Sequence, residues 1–156
     1  MSMAITSPVT GGAQTGFTSP TYTLASDTPP NPQSVQKAVS AIGGTQTGVD
    51  AASSASRPFT VTTAKPAVLK QLPPVDPVTG VLRSVPTNTY KIITRKGVTP
   101  LAGQSARVMN ITTTIDVPAG ADLADAPNIR AALSLHNGVI AQISSGIGDT
   151  AISGVM

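Results

Sequence analysis

The sequence predicts an α+β domain, in which an antiparallel sheet is followed by a C-terminal pair of helices. Two observations carry this. Three segments, Pro58–Lys65, Thr87–Val98 and Arg107–Val117, alternate apolar and polar side chains, the period of a strand with one buried and one polar face. After Asp125 the period changes to that of a helix, with Ile129, Ala132, Leu133, His136, Ile140 and Ile143 on one stripe. The composition agrees, since 36 of the 156 residues are Ser or Thr, and 28 are Gly or Pro. Thr-rich runs cut by Gly and Pro read as β-structure with many turns.

Taken in order, the first thirty residues hold short apolar runs. Phe17–Leu24 reads as a strand that Pro8, Pro20, Pro29, Pro30 and Pro32 keep at an edge. Gly11–Gly16 and Gly43–Gly48 nearly repeat each other and are expected to be turns. Val35–Ile42 fits a short strand and one or two helical turns equally well. In the first strong strand Phe59, Val61 and Thr63 oppose Thr60, Thr62 and Ala64. Prolines 73, 74 and 77 mark a connecting excursion, with a turn at Gly80. In the next strand Tyr90, Ile92 and Thr94 oppose Thr89, Lys91, Ile93 and Arg95. After a turn over 97–103, Met109, Ile111, Ile115 and Val117 oppose Asn110, Thr112, Thr114 and Asp116. Asp125 and Pro127 read as the N-cap and first turn of the long helix. Gly146 and Gly148 are expected to end it, and Asp149 to cap a last short helix over Thr150–Val155. One helix cannot cover a whole sheet, and its stripe, widened by Leu135 and Val139, is too broad for a lone chain. Dimerisation across the sheet is the expected solution.

Composition excludes several chemistries. No cysteine means no disulfide, no zinc ribbon and no thiol nucleophile. A single histidine, His136, cannot make a multi-histidine metal centre and is expected to pack on the helix stripe. The glycine clusters lack the Gly-Lys-Ser/Thr of a phosphate loop, and no Gly-x-Ser-x-Gly occurs. Asp122 and Asp125 are explained as helix-start residues. Asn110-Ile-Thr112 matches a glycosylation acceptor but lies inside a strand. No enzyme activity, metal or cofactor is expected. No run approaches the roughly 18 apolar residues of a membrane helix, and no signal peptide is visible, so synthesis in the cytoplasm is expected.

Only 11% of residues are charged, which suggests a surface covered by other subunits. The charge is also partitioned, at −1 over 1–56, +7 over 57–107 and −3 over 108–156. A basic middle in a neutral chain points to a polyanion partner. Lys91 and Arg95 share a strand face, about 13 Å apart at ~3.3 Å per residue, a span that matches neighbouring phosphates of a folded RNA. Thr and Asn beside them can donate to phosphate, sugar or bases.

Arg57–Pro66, Asn88–Lys96, Gln104–Ile115 and Asn128–Leu135 together resemble the coat proteins of single-stranded RNA bacteriophages, the leviviruses, in order and spacing. The resemblance covers about two thirds of the chain. It implies an N-terminal hairpin, an antiparallel sheet and two helices that interlock with those of a second chain over one continuous sheet. On this basis 1–156 is one coat-protein domain. Its parts are a hairpin or extended arm within 1–56, the main sheet in 57–118 and the helical pair in 125–156. It further implies a homodimer that builds an icosahedral virion shell and packages RNA, made in the cytoplasm of a bacterial host. The expected RNA-binding residues are Thr60, Thr62, Lys65, Lys91, Arg95, Asn110, Thr112 and Thr114, on a hairpin ligand. The expected dimer interface is Ile129, Leu133, His136, Ile140 and Ile143. The chain departs from the family in its long Pro/Ser/Thr-rich N-terminal part and in an expanded connection over Ala67–Pro86. The alternative is a β-rich head, tail or decoration protein of a DNA phage. A carbohydrate-binding module fits poorly, because aromatics are only 3% of the chain.

Overall fold

The structure, a computed structural model, describes residues 3–156. Six strands form one antiparallel sheet in chain order: β1 (Val9–Thr10), β2 (Thr18–Asp27), β3 (Ser34–Thr45), β4 (Phe59–Ala64), β5 (Thr87–Val98) and β6 (Arg107–Pro118). Three helices follow, α1 (Ala121–Ala124), α2 (Ala126–Gln142) and α3 (Ser144–Ser153). β5 and β6 pair without a break from Thr87↔Pro118 to Val98↔Arg107. Val35–Ile42, ambiguous by period, lies inside β3, because β2 and β4 pair it from both sides. The second glycine cluster is only partly a turn. Gly43 and Gly44 close β3, and Gly44 (φ 73°) has its α-carbon where a Cβ would strike the Thr18 and Ser19 carbonyl oxygens.

The register assigns two faces. Thr60, Thr62 and Ala64 pair with Arg95, Ile93 and Lys91, which pair in turn with Asn110, Thr112 and Thr114. The opposite face carries Val35, Val39, Phe59, Val61, Tyr90, Ile92, Ile111 and Ile115. At one end of that face Tyr22 and Phe59 meet edge to face at 5.5 Å, and the Lys96 ammonium lies 4.3 Å from the Phe59 centroid. Asp50 binds the Arg57 guanidinium at 3.0 Å and lies 3.9 Å from Lys96, tying the β3–β4 loop to the sheet. Burial holds the Lys96 ammonium below its ordinary lysine pKa, against the opposing pull of Asp50.

The apolar face lacks a cover from its own chain. Among the described residues Val39, Ala119 and Pro20 are the only buried apolar side chains, and no residue of α2 or α3 is buried. A domain of this length ordinarily buries a core of many apolar side chains.

The helix break differs from expectation. α2 ends at Gln142 with Ile143 as its C-cap, and α3 runs from Ser144 through Gly146, Gly148 and Asp149 to Ser153, capped by a left-handed Gly154 (φ 72°). Neither glycine terminates a helix, and Asp149 caps none. The reason is tertiary. The Gln14 amide, on the turn between β1 and β2, donates to the Ser144 carbonyl at 2.8 Å. Beside it Thr15 donates to the Asp149 carboxylate at 2.8 Å. A Cβ on Gly148 would collide with the Gln14 side chain, and one on Gly12 with the Ser144 hydroxyl, so these glycines permit close docking. Asp125 does hold the N-cap position of α2, but its carboxylate accepts from the Asn128 side chain at 2.7 Å instead of a helix amide.

Glycine in a helix costs about 1 kcal/mol relative to alanine. Gly146 has open space around it, so Gly146→Ala is expected to gain about 0.5–1 kcal/mol. Gly148→Ala is expected to forfeit that gain by displacing Gln14. Thermal melting of the two variants side by side checks the difference in sign.

Candidate nucleic-acid interface

The polar face is built by β4, β5 and the edge strand β6 and extended by β3, whose Gln36 and Ala38 pair with Thr62 and Thr60. Lys91 stands exposed and Arg95 half-buried. Neither makes an ion pair among the described residues. Asn110, Thr112 and Thr114 are exposed along β6. Asp116 beside them accepts a hydrogen bond from the Thr89 hydroxyl. Between this face and the loop 53–58 lies an open concavity of about 720 Å³, lined by Asp27, Gln36, Ala38, Thr60, Arg95 and Asn110 among others.

Three of the expected residues offer little to that accessible surface: Thr60 only borders the concavity, Thr62 is enclosed, and Lys65 lies elsewhere. Thr60 and Thr62 are buried, Thr62 at 2% exposure. The Thr62 hydroxyl donates to Gln36 Oε1 at 2.9 Å, and Gln36 Nε2 donates to Asp27 at 2.7 Å. That chain orients Gln36, and with the Thr28 amide it holds the Asp27 carboxyl below its usual range. Lys65 follows the end of β4 and lines a concavity with Val35, Thr63 and Tyr90, residues of the opposite face. Gln36 and Ala38 were not placed on this face because Val35–Ile42 had no assigned period; their alternation against Val35 and Val39 was the available signal, while Asp27 lies past the Phe17–Leu24 run, at the end of β2.

The basic segment is less basic in space than in sequence. Arg57 and Lys96 face Asp50, and Arg83 binds Asp76 at 2.7 Å, with the Asp76 carboxyl held below its usual range by the Val78 and Thr79 amides and by Arg83. Lys91 and Arg95 are the two cations that the register sets on the polar face.

On the other side of the sheet, Ile129, Leu133 and His136 line a 260 Å³ cavity with Thr113, Ile115 and Val117 of β6. Ile140 and Ile143, further along, are exposed, as is Leu135 at 70%. β6 is an edge strand whose Met109 and Ile111 are exposed on this same side. Among the described residues no cluster of three or more His, Asp or Glu could hold a metal ion, and no helix is long and apolar enough to cross a membrane.

The chain matches no protein-family model and no curated protein. Among solved structures it is similar to the virus-like particle of bacteriophage ESE020, with 51% sequence identity and a TM-score of 0.95. The match covers 99% of this chain and 100% of that one.

Because the Thr62 hydroxyl is used inside the sheet, Thr62→Val is expected to cost about 1 kcal/mol of stability. RNA affinity is expected to stay within about twofold of the parent. Urea unfolding and RNA binding measured on the same preparation separate the two effects.

Proposed function

The chain belongs to the coat proteins of single-stranded RNA bacteriophages, and from that premise we propose that it dimerises, closes into an icosahedral shell and holds RNA against its Lys91–Arg95 face. As a capsid protein it is a component of the virion. The DNA-phage alternative loses its ground with this family membership. The host cytoplasm as site of synthesis, and one coat-protein domain with the divisions given above, belong to the same reading.

The observation that carries the dimer is the uncovered apolar surface. An exposed twelve-residue edge strand invites pairing with another strand, and a two-fold axis lets β6 pair with β6 of a second copy. The two sheets then form one, and each α2 can lay Leu133, His136, Ile140 and Ile143 over the partner's apolar face. Full burial of an aliphatic side chain is worth about 1.5–3 kcal/mol, so a few such residues per helix outweigh the exposed state. Low overall charge then becomes intelligible, because much of this surface is interior in the assembly.

The observation that carries RNA binding is a pair of cations without an ion-pair partner among the described residues, on a hydroxyl-rich face whose two carboxylates, Asp27 and Asp116, are engaged by Gln36 and Thr89. Lys91 and Arg95 attract phosphates, while Asn110, Thr112 and Thr114 lie within reach of sugars and base edges. A dimer presents four such cations on one continuous sheet. Each neutralised phosphate contributes roughly 0.7–0.9 to the slope of log affinity against log salt, so these four account for a slope of about −3 to −4.

Two experiments test the reading. Leu133→Asp places an uncompensated charge in the helix contact and is expected to abolish soluble dimers and particles. A well-folded monomer in light scattering and circular dichroism would overturn the interlocked arrangement. Lys91→Ala with Arg95→Ala is expected to leave dimers folded, weaken binding of an RNA hairpin by roughly 10- to 100-fold and flatten the salt slope. Unchanged slope and packaging would place the RNA elsewhere.

A further inference from the structure

The connection 65–86 between β4 and β5 carries no regular secondary structure, and loops beyond about 12–15 residues of this kind are usually functional or disordered. This one is ordered at both root and tip. At the root, the buried Asn88 side chain clamps Lys70, accepting its amide at 2.8 Å and donating to its carbonyl at 3.1 Å. Leu72 fills the space that a Cβ on Gly120 would take. At the tip, the Asp76 carboxylate accepts the Val78 and Thr79 amides and binds the Arg83 guanidinium through two nitrogens. The Asp76 amide also reaches the Val81 carbonyl at 3.1 Å. Five prolines (66, 73, 74, 77 and 86) stiffen the path between.

What this ordered segment displays is apolar. Val78 is 91% exposed and Val81 60%, and Val68, Leu69, Val75 and Val85 are exposed as well. Apolar residues scattered singly need no partner, but a projecting group of them marks an interaction site. The tip is also neutral, since Asp76 and Arg83 cancel, so it has no attraction for RNA phosphates. A stiff apolar tip without net charge is suited to a protein surface, because little ordering entropy is lost when it docks.

We propose that the 65–86 connection is an assembly arm whose tip, Val75, Val78 and Val81, docks on a second copy of this chain in a neighbouring dimer of the shell. This rests on the shell reading above. Dimers related by a two-fold axis satisfy only themselves. A closed shell needs a further, heterologous contact between dimers. The helix stripe and β6 are taken up by the dimer, which leaves the arm as the densest remaining group of exposed apolar side chains. Its length matches the roughly 20–30 residues that one side of a standard interface engages. Leu123 of α1, also exposed, lines a cavity with Leu69 and Leu72 and joins the arm's root to the start of the dimer helices.

The absence of cysteine supplies a clean probe. In Val78→Cys particles the thiol is expected to react with iodoacetamide at least tenfold more slowly than in dimers released from the same particles. Val78→Asp with Val81→Asp is expected to stop at RNA-binding dimers, seen by electron microscopy and light scattering. Equal thiol rates in particles and dimers, or closed particles from the double variant at parental yield, overturn the arm. If the double variant does not fold, the thiol rates alone decide. Failure of the parent chain to form particles instead removes the shell reading.

Discussion

Everything in this structure follows from an apolar sheet face that its own chain leaves uncovered. With Val39, Ala119 and Pro20 the only apolar side chains buried among the described residues, a single copy lacks the core that would offset the entropy of ordering its backbone. Helices that expose their stripe, an edge strand with Met109 and Ile111 open to solvent, and a scarcity of charge are consequences of the same fact. In the proposed dimer folding and association are one process, and stability belongs to the assembly.

Electrostatics follows a second economy. A count along the chain assigns seven net positive charges to residues 57–107, yet two carboxylates engage three of those cations. Asp50 binds Arg57 and approaches Lys96 over the Phe59 ring, and Asp76 holds Arg83. These pairs fasten loops to strands. Lys91 and Arg95 are the cations that share the polar face, while Lys65 and Lys70, in the connection after β4, and Arg107 also stay outside ion pairs among the described residues.

The fold was legible in the sequence wherever the period was strong. β5 spans Thr87–Val98 and β6 begins at Arg107, as alternation predicts, and α2 starts at the Asp-Ala-Pro signal. Two kinds of information were missing. Val35–Ile42 carries little period of its own and becomes a strand through pairing on both edges. Gly146 and Gly148 carry a strong local signal that docking against Gln14 overrides. The same limit applies to the candidate site: parity assigns residues to a face, but it is blind to depth. Thr60 and Thr62 have the right parity and are buried, Lys65 lies just past a strand end, Gln36 enters through a strand with no clear pattern, and Asp27 lies beyond the apolar run that marks β2.

The clasp of Gln14 and Thr15 on Ser144 and Asp149 joins positions 130 and 134 residues apart. Contacts of such separation are the last that a chain emerging from the ribosome can make, since domains form as their segments appear. The hairpin turn and the sheet can be in place long before α3 exists. A nascent chain interrupted before Ser144 therefore keeps Gln14 unsatisfied and leaves α2 unfastened at its far end. The clasp can therefore close only once α3 has been made, and it fastens the turn after the first strand to the last helix of the chain.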